Sequence, residues 1–255
     1  MHMESQTAKV GVVILAAGHG NRMKSDIPKV MHELHGKPLV DHVVSHVEES
    51  GCCVKPVVIV SPDRPIVAAH LGDRCEYAMQ EKQLGTGHAT AQAEELLKGK
   101  VDHVIVLYGD MPFLSAESLQ RLVTRHEERN NTITLMTFTV PHFENDFAPF
   151  KGFSRVVRNA ETGHIARDVQ MKDATAEELE IKELNPCYFC FNSDWLWENL
   201  KKVGNNNAQD EFYLTDLLQM AIRQGEKISS IDIPPNEARG INTQDDLAVA
   251  KSINT

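Results

Sequence analysis

The sequence predicts an α/β protein, a doubly wound mixed sheet covered by helices on both faces, with a smaller β-rich insertion in its second half. Three observations predict it. From Val10 to about Val140, short apolar runs alternate with amphipathic stretches, as strands joined by crossover helices do. Runs such as Val12-Val13-Ile14-Leu15 are continuously apolar rather than alternating, the mark of strands buried on both faces. Beyond about Phe150 the pattern changes to closely spaced strands around Ala160-Glu161-Thr162-Gly163, a hairpin turn.

Taken in order, strands are expected at Val10–Leu15, Pro56–Val60, Cys75–Ala78, Val101–Leu107 and Thr132–Val140. Helices are expected at Pro38–Glu49, Arg64–His70, Gly87–Leu97 and Ser115–Arg129. The second part offers strands at Phe153–Asn159, His164–Val169 and Tyr188–Asn192, then a helix at Trp195–Lys201. A helix from Glu211 to Arg223, a strand from Lys227 to Ile233 and a helix from Thr243 to Ser252 return the chain to the sheet. In such sheets ligands bind beyond the carboxyl ends of the strands, where the turn after Leu15 and the Asp110 after Leu107 both fall.

Composition narrows the class. Of 255 residues, 42% are hydrophobic and 24% charged, ordinary for a globular domain. No apolar run approaches the roughly 20 residues that span a bilayer. Met1 to Lys9 has no signal-peptide core, so the cytoplasm is the expected location, and Met1-His2-Met3 is open to reading as a cloning remnant. The net charge of −10 argues against nucleic acid as a partner. An anionic substrate must then find local cations, and Arg22, Lys24 and Lys29 lie within eight positions. Of the five cysteines, Cys187 and Cys190 have the spacing of a metal or redox pair, but a strand points them to opposite faces and no second pair follows. His42 and His46 share a helix face without the glutamate of a zinc motif, and read as a surface pair.

The turn Leu15-Ala16-Ala17-Gly18-His19-Gly20-Asn21-Arg22-Met23, followed by Pro28-Lys29, carries the chemistry. Small residues and glycines let backbone approach a ligand, and two cations follow, as a polyphosphate site requires. The turn is not a P-loop, since Gly20 precedes Asn-Arg rather than Lys-Ser/Thr. Nor is it a dinucleotide fingerprint, whose third glycine is replaced by Met23. Asp110, just past a buried strand and after a permissive glycine, suits a hard divalent cation such as Mg²⁺, which needs few protein ligands when phosphates supply the rest.

The turn resembles the signature loop of sugar-nucleotide pyrophosphorylases. Three later segments narrow the resemblance: Gln83-Leu84-Gly85-Thr86-Gly87-His88-Ala89, Tyr108-Gly109-Asp110-Met111-Pro112, and the run Asn205-Asn206-Asn207-Ala208-Gln209-Asp210-Glu211-Phe212-Tyr213-Leu214-Thr215-Asp216. Together they resemble the uridylyltransferase domain of bacterial bifunctional N-acetylglucosamine-1-phosphate uridylyltransferases, from about Val10 to about Leu247. The resemblance implies a Rossmann-like, glycosyltransferase-A-like nucleotidyltransferase fold. It implies a nucleotide-binding part over about 10–140, a sugar-binding insertion over about 150–205, and a return to the core over 206–255. No run of hexapeptides predicts the left-handed β-helix of the acetyltransferase half.

By the same resemblance, the substrates are UTP and a sugar 1-phosphate, with N-acetylglucosamine 1-phosphate foremost, and Mg²⁺ is the cofactor. Arg22 and Lys29 are implied as catalytic cations. Leu15, Ala16, Ala17, Gly18 and Gly20 are implied at the phosphates, and Gln80, Gly85 and Thr86 at the uracil. Thr86 also reads as a cap of the helix starting near Gly87, and both roles can hold. Asn242 joins Asp110 as a metal ligand by resemblance alone; its own position reads as the start of the last helix, with Thr243 a competing cap. Tyr108, Gly109, Ser154, Gln170 and Asn185 are implied at the sugar.

The sugar side departs from the family's pattern. Gly-Tyr-Gly-Arg becomes Gly152-Phe153-Ser154-Arg155, a glutamate becomes Gln170, and Asn-Thr-Gly becomes Asn185-Pro186-Cys187. The acceptor is therefore expected to be N-acetylglucosamine 1-phosphate or another sugar 1-phosphate. Cytidylyl or guanylyl transfer and a non-catalytic nucleotide-sugar-binding module remain as other readings. The sequence leaves the oligomeric state open.

Overall fold

The computed structural model describes residues 8–207 and 210–253. Met1-His2-Met3 and the Ala208-Gln209 of the asparagine-rich segment lie outside them. The strands are β1 Val10–Leu15, β2 Glu33–Leu34, β3 Lys37–Pro38, β4 Val57–Val60, β5 Glu76–Met79, β6 His103–Tyr108, β7 Ile133–Thr139, β8 Ser154–Arg158, β9 Ile165–Val169, β10 Glu183–Asn185, β11 Phe189–Asn192 and β12 Ile228–Asp232. The α-helices are α1 Leu39–Ser50, α2 Ile66–Leu71, α3 Thr86–Ala91, α4 Glu94–Leu97, α5 Ala116–Arg129, α6 Ala176–Leu179, α7 Ser193–Leu200, α8 Asp216–Gln224 and α9 Gln244–Lys251.

The main sheet runs β5-β4-β1-β6-β11-β7-β10-β8-β9, with β12 on β7. Its first four strands are parallel. Strand β11 is antiparallel to both β6 and β7, so the sheet is mixed. Two apolar layers flank it. Val12 and Ile14 pack with α1 (Val40, Val43, Val44, Val47) and α5 (Leu119, Leu122) on one face. Val13 packs with Ala89, Leu97, Trp197, Leu217 and Leu218 on the other. Adjacent residues of β1 thus feed opposite cores, which is why the strand is apolar without a break.

Four expectations need adjustment. Strand β11, grouped by chain order with the insertion, lies inside the main sheet, because its apolar run is buried on both faces between β6 and β7. The helix expected over Gly87–Leu97 is two pieces, α3 and α4, broken at Gln92-Ala93. The helix expected from Glu211 begins only at Asp216. Its first residues stay extended because Phe212 N–H donates to Leu84 O at 2.8 Å and Phe212 O accepts from Gly87 N–H at 2.7 Å. His42 and His46 are part-buried and hold the backbone carbonyls of Leu34 and Leu114, so they tie α1 to its neighbours.

Strands β10 and β11 form one interrupted strand along β7. Leu184 faces Phe138 and Phe189 faces Leu135, so the four residues from Asn185 to Tyr188 bulge over Met136 and Thr137. The bulge splits the sheet: beyond it, β10 pairs with β8, which pairs with β9, instead of with β6. Cys187 sits in the bulge at φ +65°, a left-handed conformation that costs a side-chain-bearing residue about 1–2 kcal/mol.

Under the far half of β7 lies a buried histidine. The His126 ring is fully buried and packs edge-on against His103 at 4.6 Å, with Nδ1 2.9 Å from Thr134 Oγ1. Burial, and secondarily the charge that His103 can carry, push it down to about 3. Its unfolded value is about 6.5. As pH falls below about 6.5 the unfolded chain takes up a proton that the fold refuses until about 3, so this stability is complete above 6.5 and lost downward. Urea unfolding at pH 7.5 and pH 5 is expected to differ by about 2 kcal/mol from this residue, the neutral pH being more stable. His126→Leu should reduce that difference; an unchanged pH slope would show that His126 is not its source.

Candidate active site

The site is built where two parallel strands end level. β1 and β6 pair with Leu15 opposite Tyr108, so the glycine turn and Asp110 leave the sheet side by side. Gly109 N–H donates to Leu15 O at 3.0 Å. A Cβ on Gly109 would lie 3.2 Å from Val30 Cγ1 and 3.3 Å from Leu15 O, so a larger residue would push the two turns apart. Gly20 is held at φ +65°, and a Cβ there would stand 2.5 Å from Lys29 Cβ. Glycine at that point lets the Lys29 segment fold across the turn.

Residues distant in the chain converge on this edge. Lys29 Nζ donates to Asp110 Oδ2 in a close ion pair and to Asn242 Oδ1 at 3.1 Å. Arg22 Nη2 donates to the same Asn242 Oδ1 at 2.9 Å. The Lys29 and Asp110 side chains are only 15 and 16% exposed, so water screens their attraction weakly. Asn242 arrives because Ile241 N–H donates to Asp110 O at 2.9 Å. Thr243 is the cap of α9, in a reciprocal box with Asp246 that also takes the Asn242 N–H. The Asn242 amide is thereby released from capping and faces the cations. Lys24 is exposed and takes no part.

A cavity of about 220 Å³ opens at this edge. Leu15, Ala16, Ala17, Gly18, Gln80, Gly85, Thr86, Lys29, Tyr108 and Asp110 line it, as do Gln83 and Glu211, which residue reasoning had not singled out. Both lie inside motifs already noted, the Gln-Leu-Gly-Thr-Gly segment and the asparagine-rich segment. Gln83 Nε2 reaches Ser61 Oγ at 3.2 Å, and its Oε1 is 3.0 Å from His19 Nε2. Gln80 is buried, its Nε2 donating to Gly85 O at 3.2 Å and lying 3.1 Å from His88 Nδ1. Burial pushes the His88 ring below its ordinary range, which favours its neutral form. Thr86 Oγ1 accepts from Leu214 N–H at 3.0 Å, so it pins the 211–214 segment instead of capping α3.

A second cavity, of about 580 Å³, shares Thr86 and Tyr108 with the first. Gln170, Lys172, Cys187 and Thr215 are among its lining residues. Ser154 and Asn185 lie behind this wall. The Ser154 hydroxyl donates to Asp168 Oδ1 at 2.7 Å, and Asn185 Oδ1 accepts from Cys187 N–H at 2.7 Å. Their side chains are turned into the wall, and neither residue lines the cavity itself.

A metal implied for this edge can be tested against its residues. Asp110 Oδ2 and Asn242 Oδ1 both touch the one Lys29 ammonium nitrogen, so they point at a common position. They are hard oxygen donors, as Mg²⁺ prefers when phosphates and water complete the shell. No cluster of three or more His, Cys, Asp or Glu side chains able to hold a metal occurs among the described residues.

A model of the MobA-like NTP transferase domain matches residues 12–201. The chain belongs to this family. Among curated relatives, the bifunctional protein GlmU of Halalkalibacterium halodurans is 43% identical over 242 residues, 94% of this chain and 51% of that protein. The GlmU proteins of Enterococcus faecalis and Acetivibrio thermocellus are 39 and 41% identical, with the same 94% of this chain aligned to 51 and 50% of theirs. The chain thus spans about half the length of the curated relatives it matches. Among solved structures, one titled as a putative glucose-1-phosphate thymidylyltransferase from Bacillus anthracis, in complex with a sucrose, superposes with a TM-score of 0.74. That match is 17% identical, covers 96% of this chain and 97% of the other, and speaks for the fold. As a member of the family, the chain carries an NTP transferase domain.

In this transferase, Gly85 holds φ +106°, and a Cβ there would lie 2.6 Å from Phe212 O, a backbone atom that cannot swing aside. Gly85→Ala is expected to cost about 1–3 kcal/mol in urea unfolding. It should also speed hydrogen exchange at the Gly87 and Phe212 amides. Unchanged protection at both amides would mean that the 211–214 segment is held independently of this turn.

Proposed function

We propose that the chain joins UTP to a sugar 1-phosphate, releasing pyrophosphate and forming a UDP-sugar, with N-acetylglucosamine 1-phosphate the first acceptor to consider. One observation carries the reading: two cavities share Thr86 and Tyr108, and the first is lined by Lys29 and Asp110, which Asn242 and, through it, Arg22 adjoin. A nucleotide in the first and a sugar phosphate in the second meet at the shared residues. In this reading residues of about 10–140 form most of the nucleotide side, and the β8-β9-β10 part forms the acceptor wall.

The chemistry asks little proton transfer of the protein. An oxygen of the acceptor phosphate, already anionic, bonds to the α-phosphorus as the bond to the β-phosphate bridging oxygen breaks. The electron pair leaves with pyrophosphate. Catalysis then consists of alignment and charge neutralisation. Arg22, with a planar fork, suits two oxygens of the leaving phosphates, and Lys29 acts as a compact positive charge beside them. Asp110 and Asn242 would hold Mg²⁺, which when bound supplies further positive charge on the phosphates. Gln80, its Nε2 turned to Gly85 O and His88, leaves its carbonyl for a base donor. Gly18 and Gly20 keep the turn close enough for backbone to approach the phosphates.

A second acceptor reading has an observation in its favour. The departures at Ser154, Gln170 and Cys187 gather on the acceptor wall, while the residues of the nucleotide cavity keep the family's pattern. The deciding assay is pyrophosphate release from UTP, CTP and GTP with a panel of sugar 1-phosphates, with and without Mg²⁺. UTP is expected to be preferred, and turnover to require the metal. Release with no nucleotide-acceptor pair would leave a binding module. Lys29→Met and Asp110→Asn are each expected to lower kcat by about 10²–10³-fold, the range for losing one charge-stabilising group. A loss under fivefold in either variant would remove that residue from the chemistry.

A further inference from the structure

Positions far apart in the chain meet behind the second cavity. Asn185 of β10 faces Ser154 of β8, and the β8–β9 register, with Arg155 opposite Val169, sets Gln170 level with Ser154. Asn185 is buried, and its Oδ1 takes the Cys187 N–H at 2.7 Å, drawing the bulge back on itself. Cys187 is left at φ +65° and lines the second cavity together with Tyr108 and Gln170. Its thiol donates to Asn185 O at 3.9 Å, within the bulge, and the cavity that Cys187 lines is the one sharing Thr86 and Tyr108 with the first.

Left-handed backbone is the province of glycine, and cysteine is a poor occupant. The pattern that this segment resembles places glycine there. A glycine would close the same bulge without strain and leave the wall open. Strain of this kind persists where surrounding structure enforces it, and at ligand sites it serves the ligand. The Ser154–Asp168 hydrogen bond and the buried Asn185 are the surroundings that enforce it here.

We propose that Cys187 is a specificity-determining residue whose side chain sets an upper limit on the size of the acceptor sugar admitted to the second cavity. The proposal rests on the transferase reading of that cavity. A single methylene in a snug pocket discriminates substrates by about 10–200-fold. A CH₂–SH group where the pattern has hydrogen is therefore large enough to reorder acceptors that differ by one substituent.

The test compares wild type, C187G and C187A. Each is assayed with UTP and four acceptors: glucose 1-phosphate, 6-O-methylglucose 1-phosphate, N-acetylglucosamine 1-phosphate and N-propionylglucosamine 1-phosphate. In C187G the kcat/KM ratio of a bulkier to a smaller acceptor should rise by about tenfold or more. The change should lie mainly in the acceptor KM, with the UTP KM within about twofold of wild type. C187A, which keeps Cβ, should fall between. C187G should melt no lower than wild type, since glycine relieves the backbone. Acceptor ratios that stay within about twofold in a folded C187G overturn the proposal, as does a C187G protein that melts lower. Turnover with unchanged ratios overturns the role of Cys187 alone. No pyrophosphate release with any acceptor in any of the three proteins overturns the transferase reading as well.

Discussion

The meeting of Lys29 with Asp110 organises everything else at this sheet edge. A lysine and an aspartate withdrawn this far from water are costly apart, since an unpaired charge in a low dielectric loses its hydration without recompense. Together, with Asn242 and Arg22 completing the contacts, they form a polar knot that the fold tolerates. The knot exists because β1 and β6 are paired in a register that ends them at Leu15 and Tyr108. A one-residue slip would turn β1's side chains to the wrong cores and carry Asp110 away from the glycine turn. Two glycines then let backbone and side chain close to contact, Gly109 against Leu15 and Gly20 against Lys29.

The same economy of space shapes the cavities. The Gly85-Thr86-Gly87 turn lies against Phe212 so closely that backbone carbonyl and glycine Cα are in contact, and Thr86 takes a main-chain N–H of the opposing segment. One turn therefore forms a wall of the first cavity and anchors the segment that borders the second. The bulge at Asn185–Tyr188 has a comparable double role. It ends the pairing of the interrupted strand with β6, opens the sheet toward β8 and β9, and presents Cys187 beside Tyr108. The two cavities are joined through Thr86 and Tyr108.

Some parts of this arrangement were legible in the residues and others were not. Strands β1, β4 and β6 declared themselves as largely apolar runs because both of their faces are buried, and β7 did so as a β-branched and aromatic run in which Thr134 and Thr137 are buried among apolar residues. Strands β2, β3 and β10 did not, since two or three residues carry no readable period. The start of α8 is not legible locally, because contacts of Phe212 and Leu214 with Leu84, Thr86 and Gly87 hold Glu211–Thr215 outside the helix. In the site, Arg22, Lys29 and Asp110 stood out by charge beside glycine at strand ends. Asn242 carries no such signal: it stands at the start of a helix like many asparagines, and it was reached through the family resemblance alone. The way the Ser154 and Asn185 side chains turn depends on Asp168 and on the Cys187 amide, contacts that no local pattern shows.

The sequence by itself determined the class of fold, the position of the glycine turn and the charged residue types beside it, because these follow from hydrophobic period and from chemistry local to a few residues. Only the tertiary structure decided that Arg22, Lys29, Asp110 and Asn242 share one place, that Gln83 and Glu211 line the first cavity, and that a cysteine occupies a left-handed bulge on the wall of the second. The physical reason is strand register and backbone closeness. Both are set by pairings and packings between residues as far apart as Arg22 and Asn242, and no local pattern encodes them.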